Sequence, residues 1–127
     1  MSQLRRVAKQ RLKDARALLP AKAYDGGFYL CGYAVELALK ARICKTLRWT
    51  SFPQNRKAYS SFYVHDLDVL LTMTGREGAI RPALLAEWSY VVSHWAPELR
   101  YAACGSVTKK DLQEMIKSAE AIVAKLL

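Results

Sequence analysis

The sequence predicts an all-α fold, an up-and-down bundle of about five helices, from three observations. Apolar residues recur at helical spacing near both ends of the chain. A run from Phe28 to Leu47 is apolar on nearly every side, as in a helix packed by neighbours all round. Nothing elsewhere demands a strand.

The helices follow in order. Leu4, Val7, Ala8, Leu12, Ala15, Leu18 and Leu19 line one face of a first helix, and Arg5, Arg6, Lys9, Arg11, Lys13 and Arg16 its other face; Pro20 ends it. The Asp25-Gly26-Gly27 stretch interrupts the pattern, with Asp25 predicted to cap the next helix. In that helix Ala34, Ala38 and Ala41 are small enough for other helices to approach closely, and Glu36 stands four residues before Lys40, the favourable order for an ion pair. Arg48 to Tyr63, with Pro53, Gln54, Asn55 and several serines, reads as a loop. A short helix is expected from His65-Asp66 to Gly75. Pro82 fits the first turn of another, with Leu84, Leu85, Trp88, Val91, Val92 and Trp95 as its buried face and Pro97 its close. Thr108 with Asp111 approximates a capping box for a last helix through Leu112, Met115, Ile116, Ala119, Ile122, Val123 and Leu126.

A chain of 127 residues with 52% hydrophobic and 24% charged residues suits one globular domain over residues 1–127, large enough for a real core. Glu36, Lys40 and Arg42 interrupt the best candidate membrane span, and no apolar signal core follows the basic N-terminus. Cys31, Cys44 and Cys104 are odd in number and lack a CxxC pairing. A reduced, cytoplasmic protein is therefore expected, with no membrane partner. Two isolated histidines and scattered cysteines give no metal-ligand spacing, and Gly26-Gly27 lacks the strand and lysine of a phosphate loop, so neither metal nor cofactor is expected. Twenty Lys and Arg against 11 Asp and Glu leave a formal charge of +9, a field that draws phosphates, acidic proteins or membranes.

Four stretches taken together resemble the HEPN superfamily of small helical domains. They are Ala17-Leu18-Leu19 closing the first helix, the string Tyr29-Leu30-Cys31-Gly32-Tyr33-Ala34-Val35-Glu36-Leu37-Ala38-Leu39-Lys40-Ala41, then His65-Asp66-Leu67, and Trp95-Ala96-Pro97-Glu98-Leu99-Arg100-Tyr101 before the terminal helix. The resemblance spans nearly the whole chain, and the string from Gly32 to Ala41 is its most specific part. It implies a homodimeric helical bundle of one of two kinds: a metal-independent RNase of toxin–antitoxin and defence systems, or a non-catalytic module that binds beside a nucleotidyltransferase. RNase members carry an arginine, four to six residues, then a histidine, the motifs of two subunits converging. Arginine holds phosphate oxygens through its fork of donors, and histidine transfers protons near neutrality.

Arg100 occupies the arginine's place, but Tyr101 to Val107 contains no histidine. His94 precedes Arg100 with five residues between, the reverse of the motif. The reading is thus a dimerising, non-catalytic module that binds a nucleotide, RNA or a nucleotidyltransferase or antitoxin partner. The alternative is an RNase toxin with a degenerate site built on Arg100 and His94. Arg100, Tyr101, Trp95, Glu36, Lys40, His65 and Asp66 are the candidate ligand-binding residues. Each has a structural counterpart: an ion pair for Glu36 and Lys40, an ion pair with Glu87 or Glu98 or a helix-end carbonyl contact for Arg100, helix entry for His65, a cap for Asp66, and core packing for the aromatics, Trp88 above all.

Overall fold

The computed structural model describes residues 2–50 and 66–127. Among these are six α-helices and one 3₁₀ turn, with no strand: α1 (Ser2–Leu18), α2 (Tyr24–Leu47), α3 (Leu67–Thr74), α4 (Glu77–Ala83), α5 (Leu85–His94), the 3₁₀ turn Pro97–Tyr101, and α6 (Lys109–Leu126). His65 and most of the expected loop from Arg48 to Tyr63 lie outside the described residues.

The second helix is the hub. It packs against α1, α6, α3 and the 3₁₀ turn, and α6 also meets α5 and α1. Its apolar residues point in every direction, so Phe28, Cys31, Val35, Leu37, Leu39 and Ile43 are buried on different sides of one helix. Ala34, Ala38 and Ala41 are buried too, as their size predicts. Two glycines set the closest approaches. A Cβ on Gly27 would lie 2.9 Å from a Leu112 methyl and 3.4 Å from the Ala15 carbonyl, so α1, α2 and α6 converge there. A Cβ on Gly32 would land on the Trp95 ring.

Three boundaries differ from the sequence reading. Helix α2 begins at Tyr24, ahead of the glycines, and Asp25 lies in its first turn instead of capping it. The Asp25 carboxylate instead accepts from the Gly105 N–H at 2.6 Å and the Val107 N–H at 2.9 Å, tying the loop before α6 to the start of α2. The single helix expected after Pro82 is two: Pro82 sits inside α4, and the chain bends at Leu84 before α5. Hydrogen bonds from Leu84 N to Ile80 O and from Trp88 N to Leu84 O carry the ladder across the bend. A proline within a helix removes one donor and crowds the preceding turn, which accounts for a short, bent segment. Of the expected buried face, Trp88, Val91 and Trp95 are buried, while Leu85 is 65% exposed. Finally, α5 ends at His94, and Pro97 opens the 3₁₀ turn.

The caps read from sequence are present. Asp66 Oδ1 accepts from the backbone N–H groups of Asp68 and Val69, and Gly75, at φ 72°, closes α3 in the left-handed conformation. Thr108 and Asp111 form a full capping box, their side chains each accepting from the other's backbone N–H. Those bonds hold the Asp111 carboxyl below its usual pKa.

Glycines 26 and 32 should respond to alanine with opposite signs. On Gly26 a Cβ meets only a Leu18 methyl at 3.6 Å, so Gly26→Ala should stabilise by about 0.5–1 kcal/mol through helix propensity. At Gly32 the new methyl drives into a buried indole, and Gly32→Ala should destabilise by about 1–3 kcal/mol despite the same propensity gain. Urea denaturation of the two variants checks this; equal midpoints would show that Trp95 is not seated on Gly32.

Candidate functional site

The site grows from the bend between α5 and α6. Trp95 and Ala96 are extended, at φ/ψ −125°/138° and −152°/156°, and Pro97 then starts the 3₁₀ turn. This sequence of conformations turns Trp95 inward and carries Arg100 and Tyr101 outward. Trp95 is buried on Gly32, and its indole N–H donates to the Tyr29 carbonyl at 3.0 Å. Its ring lies 5.9 Å from that of Tyr29, which stacks on Tyr33 at 6.2 Å and 9°. The buried indole thus has its one donor satisfied, as burial requires.

Arg100 and Tyr101 stand on the solvent side of this aromatic row. The Arg100 guanidinium lies over the Tyr101 ring, 5.1 Å from its centroid, and Tyr101 is 78% exposed, more than any other large apolar side chain among the described residues. Contacts with Tyr101 first and with Tyr29 second raise the Arg100 pKa further, so the cation is kept. A cation stacked on an exposed ring presents both a π-face and a fork of donors to solvent.

Beside them, a groove of about 500 Å³ is lined by Asp66, Asp68, Val92, Trp95, Pro97 and Glu98. A second, of about 370 Å³, lies between His94, Trp95, Leu99 and Ala102. The first is acidic, but two of its carboxylates are occupied. Asp66 caps α3, and Asp68 Oδ1 accepts from Arg81 at 2.9 Å and from the Trp88 indole at 3.0 Å.

The structure brings together some of the residues predicted from sequence and separates others. Arg100, Tyr101 and Trp95 share the bend, and Asp66 lines the adjoining groove with Trp95. Within this chain His94 is engaged with Tyr90. Its ring stacks on that of Tyr90 at 4.4 Å, and Nδ1 lies 2.8 Å from the Tyr90 carbonyl. Glu36 is 2% exposed and receives a hydrogen bond from Lys40 Nζ at 3.1 Å, the ion pair that the spacing predicts. Trp88 is core. Two contributors carry no sequence signal of their own, Tyr29 and Asp68. Tyr29 reads as one more apolar residue of α2. The partners of Asp68 lie 13 and 20 residues away, beyond any local signal.

No helix among the described residues is long and apolar enough to cross a membrane, and no group of three or more His, Cys, Asp or Glu could hold a metal ion among them. Cys31 is fully buried, which with the Glu120 charge pushes its thiol up to about 12; burial raises Cys44 as well. A nucleophilic thiolate is not available at either position. Cys104, the one exposed cysteine, should be alkylated by iodoacetamide at mildly alkaline pH in the native protein, with Cys31 and Cys44 modified only after denaturation. Peptide mass spectrometry reads this directly, and rapid native labelling of Cys31 would contradict its burial.

Neither a comparison with curated proteins nor one with solved structures finds a match. A comparison with family models does, and the HEPN domain matches residues 1–127. The helical bundle, its single apolar hub and the full-length match agree: the chain belongs to the HEPN domain family.

Proposed function

We propose that this chain is a homodimerising HEPN module that binds RNA or a nucleotide without cleaving it, through Arg100 and Tyr101. The observation that carries the reading is the exposed Tyr101 ring with the Arg100 guanidinium over it, on a turn anchored by the buried Trp95. An aromatic face accepts any base, and the adjoining guanidinium suits the phosphate. The net charge of +9 supplies long-range attraction for such a ligand. Support for a non-catalytic role comes from the sequence after Arg100, which lacks the expected histidine, and from His94, which is engaged with Tyr90. A nucleotidyltransferase or antitoxin would be the protein partner of such a module, and the cytoplasm its compartment.

Fluorescence anisotropy with a labelled single-stranded RNA tests the proposal. Affinity should fall steeply between about 50 and about 200 mM salt. Tyr101→Ala should weaken binding by ~1–3 kcal/mol, the worth of one stacked base. The RNA should stay intact on prolonged incubation. Cleavage that disappears in Arg100→Ala or His94→Ala would establish the degenerate RNase instead, and an unchanged affinity in Tyr101→Ala would remove the bend as the binding site.

A further inference from the structure

A second cationic feature lies at the other end of α2, where the α3–α4 turn packs on it. Thr46 donates its hydroxyl to the Thr74 carbonyl at 2.8 Å, and the Arg76 N–H donates to the Thr74 hydroxyl at 3.0 Å. Gly75 turns between them at φ 72°, where an added Cβ would sit 3.7 Å from the Thr46 methyl. Arg42 stands one helical turn before Thr46 and Arg76 two residues after Thr74, so this contact sets both arginines at the same junction. Both side chains are half-buried, and the Nε of each is shut off from solvent without a hydrogen-bond partner among the described residues. Among those residues no carboxylate forms a salt bridge with either guanidinium. Burial first, and the Arg76 charge second, depress the Arg42 pKa.

Two like charges at one junction, each with its Nε removed from water, oppose folding unless something else compensates them. Each guanidinium offers donors in a planar fork, which matches the oxygens of a phosphate better than any neutral or cationic group. We infer that Arg42 and Arg76 form a phosphate-binding site at the junction of α2 with the α3–α4 turn. The site stands on this geometry alone; that its phosphate belongs to a nucleic acid rests on the function proposed above. Arg42 is 13 residues along α2 from Tyr29, about 20 Å at the helical rise. A mononucleotide held at Arg100 would not reach it, so occupation of both sites requires an oligonucleotide.

Two measurements on the full chain test the site. The first is the thermal midpoint with inorganic phosphate against chloride at matched ionic strength. The second is RNA affinity as a function of salt. Wild type should show a phosphate-specific rise in midpoint, and R42M/R76M should lose it. The same double variant should bind RNA about tenfold or more weakly, with a salt slope shallower by ~1 for each phosphate no longer neutralised. R42K/R76K keeps both charges but not the forks, and should also lose most of the phosphate-specific rise; it serves equally if the methionine variant does not fold. Absence of that rise in wild type, or its survival in the lysine variant, would overturn the site. A rise in wild type that both variants lose, with no RNA binding by wild type, would uphold the site and defeat the RNA reading.

Discussion

Everything in this fold follows from a helix that cannot face water. The second helix has no polar side to present, so its burial requires neighbours on every flank, and α1, α3, α6 and the 3₁₀ turn supply them. A helix so enclosed tolerates few large side chains at its crossings. Gly32 marks the place where a methyl group would already be too much, and at Gly27 one would require the Leu112 side chain to shift. Its one deeply buried charge, Glu36, is tolerated because Lys40 lies one turn on and reaches it.

The same constraint positions the candidate site. Trp95 fills the space left by the missing side chain at Gly32, and its indole is bonded to the Tyr29 carbonyl, so the chain leaving α5 is pinned at one point. Pro97 then fixes the direction of exit, and the short turn carries Arg100 and Tyr101 to the surface. A loop would have placed those two side chains anywhere. A pinned turn presents them together, which lowers the entropy lost when a ligand is stacked and gripped at once. The second tie, from Asp25 to the Gly105 and Val107 backbone, holds the far side of the same connection.

Much of this is legible in the sequence, and what is not has physical causes. The periodicity of α1 and α6, the encircled α2, the Asp66 and Thr108 caps and the Gly75 stop depend on residues within a few positions of one another, so pattern reveals them. The family resemblance rests on the same local strings. The start of α2 is hidden because Gly26 and Gly27 read as a turn, whereas Gly27 is a contact with Leu112 and Ala15 from distant segments. Pro82 reads as a helix start because that is where proline costs least; its place inside α4 is a tertiary outcome. At the site, Arg100 and Tyr101 can be named from their motif, but the seat of Trp95 depends on a glycine 63 positions earlier. The juxtaposition of Arg42 with Arg76 has no signature at all, since two like charges give no reason to expect a contact.

The distribution of charge explains why a chain with this composition should seek an anion. Its carboxylates are largely engaged inside the fold. Asp25 holds a loop, Asp66 and Asp111 cap helices, and Glu36, Asp68, Glu77 and Glu120 bind Lys40, Arg81 or Arg16. Arg11 takes Asp14 in a weaker contact at 3.5 Å. The cations that these acids neutralise are a small part of the 20 lysines and arginines. The excess positive charge therefore falls most heavily on α1 and on the C-terminal part of α2. Exposed lysines and arginines in water bear such an excess cheaply, because solvent and salt screen them. Arg42 and Arg76 have less of that relief, being half-buried with the Nε of each shut off from solvent. Among the described residues no acid pairs with either arginine, and a phosphate is the anion whose shape matches both forks.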